Sequence, residues 1–313
     1  MPELRRMIPL WSGSANTWDC DEMGHMNVRV YVEKAMEGLG TFASALGMPH
    51  AYRENAPSTL LPLEHHIRYI REVHPGKPLS MAGCVLEWDE TTALLYQDMR
   101  HSDGTPAAAF RTRVQHVDAK SGKPFPWSTR SMAQLEALTG VASDDTKPRG
   151  LDPDISPIPS SAANLGFVLK TGAPEIGRGS VPLSHCDVFG RMLAPWFMGR
   201  ISDSVPNLLY NWRQKVAANT DGAKMGAAVL EYRLIYRKWP RAGDRFVVHT
   251  GLARVAEKTH SLSHWMLDPD TGDAWITSEA VAVTFDLNTR KVIPTPPDQM
   301  IALEEIAPKG LTL

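Results

Sequence analysis

The feature that most restricts this chain is an internal repeat. Shifting the sequence by 166 positions lays Cys186-Asp187-Val188-Phe189-Gly190-Arg191-Met192 onto Cys20-Asp21-Glu22-Met23-Gly24-His25-Met26. Each copy precedes a segment with apolar residues at helical spacing, Tyr31, Ala35, Leu39, Phe42 and Leu46 in the first and Phe197, Ile201, Val205, Leu208 and Trp212 in the second. The alignment continues at an offset of 167, pairing Leu63-Glu64 with Leu230-Glu231, Tyr69 with Tyr236 and Gly76 with Gly243, as a one-residue loop insertion would produce. A duplicated domain follows, and such domains tend to pack as a pseudo-dimer about an approximate two-fold.

Within each copy the order of elements is a short strand, a polar turn, a long helix and then a run of strands. The first strand is expected at 14–18, and at 180–184 in the second copy. The first helix stripe spans about five turns and stops at Gly47 and Pro49. Pro195 falls in the first turn of the second helix, where a missing amide hydrogen costs little. Strand-forming segments follow at 60–73, 79–88, 93–99 and 107–117, then at 247–255, 261–267 and 275–285, with turns at Pro75-Gly76, Asp103-Gly104 and Asp270-Thr271-Gly272. One long helix followed by such a meander buries its apolar face only by lying against the sheet, so each copy is an α+β layer pair. Between them, 142–165 loses periodicity and carries Pro148, Pro153, Pro157 and Pro159. The expected domains are 1–141 and 166–313, joined by 142–165. The letters Gly38-Leu39-Gly40-Thr41-Phe42-Ala43 match a dinucleotide fingerprint but fall in mid-helix, where that motif has no function.

Composition sets the remaining bounds. The chain has 313 residues and a formal charge of -2, so no electrostatic case arises for nucleic acid or an anionic membrane. No apolar stretch has the length of a signal peptide or a membrane span, and a cytoplasmic location is expected. Three cysteines form no closed disulfide set, and Cys20 and Cys186, at equivalent positions, read as small fillers beside the turn more readily than as nucleophiles. Glu64-His65-His66 alternates across a strand, and His260 with His264 lacks a third ligand, so no metal is expected. No Walker loop, HExxH or GxSxG elbow is present.

The chemistry concentrates in Asp19-Cys20-Asp21-Glu22-Met23-Gly24-His25-Met26-Asn27. Asp21 reads as a catalytic base or nucleophile or as a turn residue, His25 as an orienting or donating group or a satisfied surface histidine, and Asn27 as a ligand for substrate oxygen or an N-cap. Asp21 and Gly24, with Tyr31 seven positions past that Gly and Glu37 beyond, resemble the hotdog-fold acyl thioesterases of the 4-hydroxybenzoyl-CoA thioesterase type. The run Gly24-His25-Met26-Asn27 is similar to the form in acyl-ACP thioesterase-like members. The resemblance covers 10–130 and 175–295, which implies a tandem double hotdog. It implies catalysis by the carboxylate of Asp21, with His25 and Asn27 beside it, Asp19, Gly24 and Glu37 in support, and backbone amides at the helix start as oxyanion donors. No cofactor is implied; the expected partner is an acyl-CoA or acyl-carrier-protein thioester, and further association into a homo-oligomer stays open.

The second copy departs from the pattern. His185, Arg191 and Leu193 replace Asp19, His25 and Asn27, while Asp187 and Asp203 hold the places of Asp21 and Glu37. Arg191 is expected to pair with Asp187 or to bind a phosphate of the acyl carrier, and the second site to be weaker, retuned or silent. Two other functions fit the same resemblance: a hydratase or dehydratase using Asp21 and His25, and a non-catalytic acyl-CoA-binding protein.

Overall fold

A computed structural model describes residues 7–217, 225–286, 288–289 and 291–313. Two compact units result, one formed by Met1–Pro148 with Cys186–Pro195 and the other by Arg149–His185 with Trp196–Leu313. The division falls inside the segment read as a linker, and the turn containing Asp187 groups with the first unit.

In the first unit, β1 (Ile8–Ser14) leads to α1 (Val28–Ala45), followed by β2 (Ser58–Tyr69), β3 (Pro78–Trp88), β4 (Thr92–His101), β5 (Pro106–Asp118) and α2 (Thr129–Ala137). The strands pair antiparallel in the order β1-β3-β4-β5-β2. The α1 stripe meets its expected role: Tyr31, Ala35, Leu39, Phe42 and Leu46 are all buried. Helix and sheet are joined by a polar link, the Gln97 side chain of β4 donating to the Ala35 carbonyl at 2.8 Å. Gly38 permits that approach, since a Cβ there would lie 2.9 Å from Gln97 Nε2 and 3.0 Å from Met81 Sδ. The mid-helix glycine that resembled a nucleotide motif is a packing residue.

The opposite face of this sheet receives the start of the linker. Tyr96 and Thr146 share a hydroxyl hydrogen bond of 2.6 Å. Arg100 spans Asp98 at 2.8 Å and Asp145 at 3.3 Å. Residues alternate along β4, so Gln97 serves the helix while Tyr96, Asp98 and Arg100 serve the linker.

The second unit contains α3 (Leu165–Thr171), β6 (Glu175–Ser180), α4 (Ala194–Ala217) from Trp196 onward, β7 (Met225–Tyr236), β8 (Arg245–Val255), β9 (His260–Leu267), β10 (Ala274–Asp286) and α5 (Pro297–Ile306). Its strands run antiparallel in the order β6-β8-β9-β10-β7, the same topology as the first. Phe197 and Ile201 of α4 are buried, Val205 and Leu208 are half-buried, and the Trp212 side chain lies outside the described residues. The remainder of the linker lies on the far face of β7. There Glu231 accepts the Gly150 amide at 2.6 Å, and Arg233 donates to the carbonyls of Asp152 and Ile155 at 3.0 and 2.6 Å.

Duplication extends to the irregularities of the sheets. Register slips fall between Pro9 and Trp11, Pro62 and Glu64, Val85 and Glu87, and Met99 and Arg100. In the second sheet they fall between Glu175 and Gly177, opposite Val229 and Glu231, between Leu252 and Arg254, and opposite Met266 and Leu267. Each lands on the aligned residue of the other copy. Bulges re-aim a strand at a fixed place, so four shared ones mark one design used twice.

The first strands lie earlier than expected, at Ile8–Ser14 rather than 14–18 and at Glu175–Ser180 rather than 180–184. The cause is local. Asp19 Oδ2 accepts the Asn16 amide at 2.8 Å, and this capping contact closes Thr17–Asp19 into a 3-10 turn. Three further helices, α2, α3 and α5, stand where no helix was read.

Candidate active site

The Asp21 turn is shaped by its own backbone. An antiparallel bridge joins Cys20 to Met26. Asp21 Oδ1 accepts the amides of Met23 at 2.9 Å and His25 at 3.2 Å, and the Asp21 amide donates to the His25 carbonyl at 2.8 Å. Gly24 has φ +77°, a left-handed conformation that a side chain disfavours, and its counterpart Gly190 has φ +78°. The turn is also tied to the loop after β2, with the Met26 amide donating to the Val73 carbonyl at 2.8 Å.

Asn27 is the N-cap of α1, its Oδ1 accepting the Arg29 amide at 2.9 Å, while its own amide donates to the Asp19 carbonyl at 2.8 Å. Asp19 faces backward into the 3-10 turn. Glu37 accepts Trp11 Nε1 at 2.6 Å and Lys34 Nζ at 3.0 Å, both in its own unit. Cys20 has its thiol pushed up by burial first and then by the carboxylates of Asp19 and Asp21, which suppresses the thiolate a nucleophile needs. The Tyr31 hydroxyl, on the buried face of α1, is raised by burial first and then by the charge of Glu72, so it stays protonated as a donor.

His25 is buried, and its Nε2 lies 3.4 Å from Glu72 Oε2. His74 stands against the same carboxylate at 4.0 Å and edge-on to the His25 ring, with centroids 4.9 Å apart. Neither Glu72 nor His74 was singled out in the sequence. They lie in a loop 47 and 49 positions beyond His25, and the available signal was the Glu-x-His spacing, which puts both on one side of an extended chain. The second copy has Trp239 and Arg241 at those places.

The Asp187 turn reproduces the same backbone. Asp187 Oδ1 accepts the amides of Phe189 at 2.8 Å and Arg191 at 2.9 Å, and Cys186 bridges Met192. What differs is the side chain at the His25 position. Arg191 is 4% exposed, donates to the Ala119 carbonyl and lies over the Phe189 ring at 5.2 Å. That places its guanidinium inside the protein. Nearby, the Tyr52 hydroxyl donates to the Leu60 carbonyl at 3.3 Å.

The repeats also differ beside their first strands. Gly177 of β6 stands in the register position of Trp11. A cavity of about 830 Å³ opens there, lined in part by Gly177, Arg200, Asp203, Ser204 and Phe246. Asp203, the counterpart of Glu37, lies on this cavity.

The two halves correspond to a known family. The model of the thioesterase-like superfamily matches residues 15–135 and 181–303, and the chain belongs to that superfamily. Solved structures with the same fold include an acyl-ACP thioesterase from Bacteroides thetaiotaomicron VPI-5482, at 14% identity and TM-score 0.62, covering 90% of this chain and 100% of that one. A putative oleoyl thioesterase from Lactobacillus plantarum matches at 11% identity and TM-score 0.66, covering 92% and 97%. With the repeated helix and sheet, these establish a tandem double hotdog of the α+β class. Among curated proteins, the L-carnitine dehydrogenase/betainyl-CoA thioesterase of Rhizobium meliloti (strain 1021) is 28% identical over 119 residues, 38% of this chain and 24% of that relative's length. No helix among the described residues is long and apolar enough to cross a membrane.

Proposed function

We propose that the protein hydrolyses the thioester of an acyl-CoA or acyl carrier protein, with Asp21 as the base or nucleophile. The observation that carries this reading is the fixed Asp21 carboxylate at the start of α1. Oδ1 takes two backbone amides, which hold the carboxyl plane, and Oδ2 is the oxygen assigned to the reaction. A thioester carbonyl placed at the N-terminus of α1 meets the positive end of the helix dipole, where an oxyanion is favoured, while the Arg29 and Val30 amides there are already held by Asn27. Asn27 satisfies the Arg29 amide, so its side chain acts as the cap that shapes this terminus rather than as the donor.

Water activated by Asp21 adds to the carbonyl carbon, or Asp21 adds directly and water then cleaves the resulting anhydride. The C–S bond breaks, and the thiolate takes up the proton. His25 is the imidazole of the turn, and the Glu72 carboxylate stands 3.4 Å from its Nε2. In the second copy Arg191 cannot replace this imidazole as an acid or base, so the Asp21 site does the work and the Asp187 site is weak or silent. The boundaries 1–141 and 166–313 remain the proposed repeats, each sequence repeat contributing one such turn.

Thiol release measured over acyl-CoAs of different length and polarity, and over acyl carrier protein substrates, tests the reading. Release with at least one class is expected. A change in enoyl absorbance without thiol release would replace hydrolysis by hydration, and tight acyl-CoA binding without turnover would make the protein a binder.

A further inference from the structure

The loop after β2 and the Asp21 turn together bring three ligand-bearing side chains to one place. The geometry points to a divalent transition-metal site of the zinc type, formed by His25, Glu72 and His74. Among the described residues, one ligand atom from each of the three lies within 4.8 Å of the others. His25 Nε2 and Glu72 Oε2 are 3.4 Å apart, and His74 Nε2 and the same oxygen are 4.0 Å apart. A tetrahedral zinc-type ion bound at about 2.0–2.2 Å spaces its ligands about 3.3–3.6 Å apart. Rotamer adjustment of about 1 Å in the two outer side chains therefore closes the set, and both Glu72 and His74 are exposed enough to make it.

A second observation supports the assignment. His74 Nδ1 lies 3.2 Å from the Gly24 carbonyl, which can only accept, so the ring proton sits on Nδ1 and the Nε2 lone pair faces the cluster. Metal-bound histidines are held in this manner, one ring nitrogen donating to a carbonyl or carboxylate and the other ligating. His25 supplies a buried ligand, and Glu72 supplies the negative charge. Two imidazoles and one carboxylate suit zinc, nickel or cobalt better than calcium or magnesium, which prefer oxygen alone. Three protein ligands leave at least one coordination position for water or a solute. The second copy carries Arg191, Trp239 and Arg241 at the three places, so the set is not repeated there.

The site shares His25 and Glu72 with the turn assigned to thioester hydrolysis, and metal binding, which needs no turnover, tests it separately. Zn²⁺ is titrated into the full chain by calorimetry, and Co²⁺ is followed by its visible absorption, in the wild type and in His74→Ala, His74→Gln and Glu72→Gln. One equivalent is expected to bind to the wild type, with affinity on the order of 10–100-fold lower in each variant. The Co²⁺ band should weaken in parallel. Zn²⁺ should raise the melting temperature of the wild type more than that of the His74 variants at the same concentration. His74→Gln preserves most of the side-chain volume and provides the comparison if His74→Ala folds poorly. Absence of saturable binding, or equal affinity in wild type and variants, would overturn the proposal, the second outcome meaning that the ion sits on other histidines.

Discussion

His264 offers a pH-dependent stability that can be worked out from its surroundings. It sits in β9, 1% exposed, with Nδ1 2.8 Å from Thr250 Oγ1 and its ring stacked on Tyr232 at 5.7 Å. Burial pushes its pKa down to about 3, against about 6.5 for an open chain. Above pH 6.5 the histidine is neutral in both states and contributes no pH dependence. As pH falls from 6.5 toward 3, the unfolded chain takes the proton and the folded one does not, so stability is lost. At pH 5 the separation of about 1.5 pH units from the unfolded value corresponds to about 2 kcal/mol. The aligned residue in the first copy is Gln97, which fills the same place with a neutral side chain bonded to Ala35 and Thr112. His264→Gln therefore uses a residue the fold already accepts there. His65, also pushed down to about 3 by burial, remains in the variant. The pair should cost about 4 kcal/mol between pH 8 and pH 5 in the wild type and about 2 kcal/mol in the variant. Urea denaturation at the two pH values reads the difference. An unchanged pH dependence in His264→Gln would show that this histidine is not held neutral and would refute the reasoning.

Two further substitutions separate structural from chemical roles. Asn27→Ala removes the cap on the Arg29 amide and should lower stability by about 1 kcal/mol, whereas Asn27→Asp retains an acceptor and should preserve it; chemical denaturation with unchanged m-values checks this, and equal losses would deny the cap. Arg191→Met removes the charged donor to the Ala119 carbonyl and should cost about 1.5–3 kcal/mol with KM for acyl-CoA unaltered. A raised KM at full stability would instead restore the role of Arg191 as a phosphate ligand.

Much of the fold was legible because duplication places two imperfect signals on one pattern. The first helix stripe, the turn at Asp21 and Asp187, and most strand segments agree with the structure, since each depends on local periodicity; the strand expected over 60–73 ends at Tyr69, and 70–73 belong to the loop that carries Glu72. The displaced first strand shows the limit: the Asp19 carboxylate accepting the Asn16 amide outweighed the strand-like composition of 14–18. The shared bulges were invisible, because a bulge is a relation between two strands. The same reason hid Glu72 and His74, which matter only through their distance to His25. Arg191 was recognised as the main departure in the second turn, but the sequence did not contain the Ala119 carbonyl that claims it.

The central claim is that one turn of the two performs the chemistry, and paired substitutions test it most directly. Asp21→Asn and Asp187→Asn each keep an Oδ1 acceptor for the two turn amides, so the backbone is retained while the charge is lost. Thiol-release kcat/KM should fall on the order of 10²–10⁴-fold in Asp21→Asn and stay within about threefold of wild type in Asp187→Asn. Equal losses in the two variants would contradict the asymmetry, and full activity in Asp21→Asn would contradict the site.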